Sequence, residues 1–118
     1  MEIVDTVSFA PLGDREFSAG QILRTENASA RVIRIGPGQD LPAHTHGVSD
    51  LFLLAMTGSG VLTAPDGSTT PFPQGTLAHF TGDEELRVGN PLRDQDRAGE
   101  ATELTLLAVL SPPFPPAR

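Results

Sequence analysis

Cysteine, lysine, tyrosine and tryptophan are all missing from the 118 residues. Without cysteine there is no disulfide staple, thiolate ligand or thiol nucleophile, which excludes a disulfide scaffold and a redox motif and agrees with a cytoplasmic setting. Without lysine there is no Schiff-base chemistry, and without tyrosine no phenolic acid/base or radical role. All eight basic residues are arginine, against fifteen acidic ones, for a formal charge of −7. That balance opposes nucleic-acid binding, which rests on a basic face. No apolar run approaches the roughly 20 residues that span a bilayer. The opening stretch Met1-Glu2-Ile3-Val4-Asp5 lacks the positive and apolar regions of a signal peptide. The expectation is a soluble protein with neither a nucleic-acid nor a membrane partner.

Turn formers are plentiful. Twelve glycines and eleven prolines are scattered along the chain, dividing it into pieces too short for most helices. The intervening runs, rich in Val, Ile, Leu, Phe and Thr, predict strands at 17–24, 30–35, 41–46, 51–57, 60–64, 69–72, 76–80, 84–88 and 103–110. Thr57-Gly58-Ser59-Gly60 and Pro65-Asp66-Gly67-Ser68 each read as a tight hairpin connection, and Gly36-Pro37-Gly38 as a further break. The charged stretch 90–102 reads as a longer solvated loop. Short strands with regular turns imply an all-β sandwich or barrel in one domain, residues 1–118, with its core at about 15–110. The tail Ser111-Pro112-Pro113-Phe114-Pro115-Pro116 cannot enter a sheet interior, because proline offers no ladder donor, so residues 111–118 either pack over the domain or fray.

The chemistry-bearing feature is His44-Thr45-His46, just ahead of the apolar run 51–56. Side chains two apart in a strand share a face, so both imidazoles project together, and two converging neutral imidazoles are half of a metal site. Such a pair disfavours calcium and magnesium and suits zinc, nickel, iron or manganese. Two imidazoles alone hold a divalent ion weakly. Beside an apolar cavity they need a hydrogen-bond partner, water, a metal or a ligand.

Gly38, His44, His46 and Gly58 stand at the spacing of the first cupin motif: glycine, five residues, His-x-His, three or four residues, glutamate, six residues, glycine. Pro42 and the turn after Thr57 suit the same context. The chain, over about residues 32–90, thus resembles the cupin superfamily. That resemblance implies a double-stranded β-helix, or jelly-roll barrel, of short antiparallel strands. Leu51 falls at the place of the family's glutamate ligand, while Asp50, one residue earlier, fits the shorter spacing after His46. A one-residue shift turns a side chain to the other face. Residues 51–56 are apolar on both parities and leave the choice open.

The second cupin motif is matched at its ends by Gly75 and Asn90, with Thr81 and Asp83 at its proline and glycine places and Leu86 at its histidine place. Leucine cannot coordinate a cation, so the family's ligand set carries over only at His44 and His46. His79 either sits at the rim or outer face of the barrel or substitutes as a ligand from another strand.

Two functions follow. One is a small-molecule-binding barrel whose apolar mouth includes His44, His46, Leu51 and Leu86, with or without a weakly held transition metal. The alternative is a metal-dependent enzyme of the dioxygenase, isomerase or decarboxylase type, using His44, His46 and either Asp50 or His79 as a three-donor set. A scaffold or regulatory partner is a thinner third reading. A homodimer is expected, since a strand apolar on both sides is better covered on both.

Overall fold

The computed structural model describes residues 1–9, 11–13, 15–92 and 102–115. The solvated loop expected at 90–102 lies for the most part outside them, as do residues 116–118 of the tail. Nine strands and no helix make up the described residues: β1 (Phe17–Arg24), β2 (Ser29–Ile35), β3 (Asp40–His44), β4 (Asp50–Thr57), β5 (Gly60–Thr63), β6 (Thr69–Phe72), β7 (Leu77–Phe80), β8 (Leu86–Gly89) and β9 (Leu104–Ser111). All nine expected strands are present, every pairing is antiparallel, and the fold is all-β.

The strands form two sheets that face one another. One has five strands in the order β1-β2-β9-β4-β7, the other four in the order β3-β8-β5-β6. Period-two alternation decides what lies between them. In β9, Leu104, Leu106, Ala108 and Leu110 are buried; in β4, Leu51, Leu53 and Ala55; in β2, Ile33 and Ile35. These meet Phe72, Leu86 and Val88 from the other side in one core. Fully burying a leucine of this kind contributes about 1.5–3 kcal/mol.

The connections bear out one expectation and correct another. The turn 64–68 is the predicted hairpin, closed by Ala64 N–H donating to Ser68 O at 2.9 Å, and β5 and β6 pair across it. The turn after Thr57 is not a hairpin, because β4 and β5 lie in different sheets. It is a corner: β9 and β7 already occupy both edges of β4, so the chain must leave for the other sheet. Gly58, at φ 79°, makes this corner possible, since a Cβ there would lie 2.6 Å from Glu103 O.

The strand expected over 84–88 begins only at Leu86, because Glu84 folds back into a turn. Thr81 N–H donates to Glu84 Oε1 at 2.8 Å, and Glu84 N–H donates to Thr81 O at 3.1 Å. Strand β3 likewise ends at His44. His46 stands in the following turn, where its N–H donates to Gly82 O at 2.8 Å. A Cβ on Gly82 would collide with the Gly47 carbonyl, so the two turns pack backbone against backbone.

Candidate functional site

His44 and His46 come together inside the barrel end, although only His44 belongs to a strand. Their ring centroids are 4.6 Å apart in an edge-to-face arrangement. Both line a cavity of about 60 Å³ with Leu51, Leu86 and Leu110. The pairing of His44 with Leu86 across β3 and β8 places that leucine beside the imidazoles.

The two rings differ in environment. His44 is half-buried, and its Nδ1 lies 2.8 Å from Pro42 O. A carbonyl only accepts, so Nδ1–H donates and Nε2 keeps its lone pair. His46 is 5% exposed, and its Nδ1 is buried without a hydrogen-bond partner. Burial first, then the neighbouring His44 and Arg31, push its pKa down to about 4. At neutral pH it is an uncharged ring with an unsatisfied nitrogen.

Two residues of this cavity were not singled out in the sequence. Arg31 projects inward from β2, two residues before Ile33, and its Nε is also buried without a partner. Its alternation with Ile33 and Ile35 was the available signal. Phe114 closes another side, its ring 5.2 Å from that of His46. The described part of the proline-rich tail that carries it, residues 111–115, packs rather than frays. Ser49 Oγ–H donates to Pro112 O at 2.7 Å, Phe114 N–H donates to Ser29 Oγ at 3.1 Å, and Arg24 Nη1–H donates to Pro115 O at 2.9 Å. Nothing in the local pattern around Phe114 signals this; the hydroxyls that anchor the tail belong to Ser29 and Ser49, far back along the chain.

Asp50 and His79, the candidate third ligands, are not brought to the imidazole pair. Strand β4 turns Leu51 inward, 1% exposed, and so turns Asp50 outward. In β7, Ala78 and Phe80 face the core, which puts His79 on the outer surface. There His79 Nε2 and Asp50 Oδ1 bond to each other at 2.9 Å. Of the two spacings the sequence left open, Leu51 is the one that reaches the cavity.

The donor set does not fit the metal that cupin resemblance implies. Two imidazoles face two leucines where a carboxylate and a third imidazole would stand, and no group of three or more His, Asp or Glu that could hold an ion occurs among the described residues. Arg31 adds a positive charge to the same cavity, which further opposes a cation. The second motif nonetheless keeps a structural role through Asn90. Its buried Nδ2 donates to Ile35 O and Thr102 O, both at 2.9 Å, tying the end of β2 to the segment just ahead of β9.

A wider depression of about 540 Å³ lies near the turn 81–85 and the hairpin 64–68. Its acids Asp83 and Glu84 are engaged with Thr81 and face water, so it offers no buried group in need of a partner.

No family model and no curated protein matches this sequence. Solved structures do. The chain is similar to an RmlC-like cupin protein from Desulfovibrio desulfuricans, with a TM-score of 0.78 at 19% identity over 97% of this chain and 99% of that one. It is similar to a Klebsiella pneumoniae protein with a double-stranded β-helix domain, with a TM-score of 0.79 at 17% identity over 95% and 90%. A Thermus thermophilus protein matches with a TM-score of 0.77 at 22% identity over 96% and 99%. With two facing antiparallel sheets and these likenesses along nearly its whole length, the chain has the double-stranded β-helix fold of the cupins.

Proposed function

We propose that this protein binds a small molecule in the cavity at the barrel end, with His44 and His46 as polar contacts. The carrying observation is the buried Nδ1 of His46, left without a partner in a cavity walled mostly by hydrocarbon side chains. A buried polar atom in that state costs about 1–3 kcal/mol, which a ligand that hydrogen-bonds to it recovers. Apolar walls with a few convergent polar groups are the usual make-up of a small-molecule site. The alternative, a metal-dependent enzyme, needs at least one more donor, and Leu51 and Leu86 stand at the positions from which it would come.

The test is to purify the full chain without a histidine tag and examine it by native mass spectrometry and elemental analysis. A co-purifying or exchangeable organic molecule, lost in His46→Leu, supports the reading. A transition metal at one per chain that survives chelator overturns it.

A further inference from the structure

Arg31 projects into the cavity from β2, a strand of the five-stranded sheet. Register puts it opposite Ala108 of β9, and its neighbours on that face of β2 include Ile33 and Ile35, both core residues. Two other strand arginines have acidic neighbours: Arg34 of β2, whose Nε is likewise without a hydrogen-bond partner, lies 3.7 Å from Glu103, and Arg87 of β8 lies 3.7 Å from Asp40. Among the described residues no carboxylate pairs with Arg31. The chain has fifteen acidic residues, so the missing counter-charge is not for want of acids. An inward guanidinium is costly to desolvate unless something negative meets it.

We infer that the cavity takes an anion, specifically a small monocarboxylate, with the carboxylate held between Arg31 and His46 and a short apolar chain lying against Leu51, Leu86 and Phe114. This deepens the proposed small-molecule reading and rests on it. Two separate observations converge: the buried Nε of Arg31 and the buried Nδ1 of His46 both lack partners, and both residues line the same space. Arg31 Nε–H can only donate, and so calls for an acceptor. A carboxylate has two oxygens, enough to accept from the guanidinium and from an imidazole N–H together. The apolar walls select against a fully hydrated anion such as phosphate, which would have no use for three hydrocarbon surfaces. At roughly 10–15 Å³ per enclosed water-sized centre, the cavity of about 60 Å³ suits a molecule of only a few heavy atoms.

The experiment is calorimetric titration of the full chain, in chelator-treated buffer, with butyrate, butyramide and inorganic phosphate. Butyrate is expected to bind, with butyramide and phosphate at least tenfold weaker. Arg31→Gln should weaken butyrate at least tenfold, Arg31→Lys should recover part of the loss, and His79→Ala should leave it unchanged. Butyramide binding as tightly as butyrate overturns the anion inference but leaves small-molecule binding standing. That comparison uses the native chain alone and does not depend on any variant folding. Phosphate binding more tightly than butyrate overturns the carboxylate assignment. No binding of any of the three overturns the inference, while the underlying reading is decided separately by whether an organic molecule co-purifies.

Discussion

His79 and Asp50 are joined across β7 and β4 by a 2.9 Å bond on the outer surface, with their side chains 47% and 53% exposed. The two residues that could have completed a metal site satisfy each other instead, on the wrong side of the sheet. A pair this exposed is worth about 0–1 kcal/mol. His79→Ala should therefore lower unfolding stability by no more than that in a denaturant titration and leave ligand binding unaltered. A change in ligand affinity would place His79 in the site after all.

Acid should destabilise the protein through His46. Unfolded, a histidine titrates near 6.5; in the fold His46 titrates at about 4, through burial first and then the adjoining His44 and Arg31. Between these values the unfolded chain binds the proton more readily, so stability is lost as pH falls from 6.5 towards 4 and is unaffected by this group above 6.5. The loss should approach about 3 kcal/mol at its fullest. Comparing denaturation midpoints of the native chain and His46→Gln at pH 7 and pH 4.5 checks this, with a smaller pH response expected in the variant.

Restoring donors should create a metal site. Leu51 and Leu86 are each 1% exposed and border both imidazoles. The double variant Leu51→Glu with Leu86→His supplies four protein donors, the number typical of a closed transition-metal site. Without metal it should be less stable by several kcal/mol, because a carboxylate is buried. Zinc or nickel should raise its melting temperature far more than that of the native chain. Equal shifts in both proteins would show that the native cavity already holds metal well.

The outer face of the five-stranded sheet is apolar along two cross-strand rows, Phe52 with Val109 and Leu54 with Leu107 and Leu77. Phe52 is 42% exposed and Leu77 63%. A second copy of the chain is expected to cover this surface. Light scattering at micromolar concentration should give twice the chain mass, and Phe52→Glu with Leu77→Glu should halve it. A native monomer would remove the expectation.

Most of the architecture was legible because strand alternation and turn residues are local. Leu104, Leu106, Ala108 and Leu110 announce their inward face, and Gly38, His44, His46 and Gly58 announce the barrel. The corner at Gly58 was misread because a glycine-rich turn looks alike whether its strands pair or part; the difference lies in β9 and β7, which flank β4 from far along the chain. The choice between Asp50 and Leu51 was beyond the sequence because residues 51–56 are apolar on both faces. Arg31 escaped notice because arginines are ordinarily solvated, and only the tertiary structure shows that no acid among the described residues pairs with it. The placement of Phe114 depends on its own hydrogen bond to Ser29 and on that of Ser49 to Pro112, both partners dozens of positions away.

Phe114 belongs to neither sheet, yet it supplies part of the cavity wall. The dimensions of that enclosure are thus partly governed by four residues hung outside the β-ladder, 112–115. Substitutions there can retune which molecules are admitted while every strand register stays intact. Selectivity and foldability are in that sense separable in this chain, and a variant library confined to the strap would explore the first without spending the second.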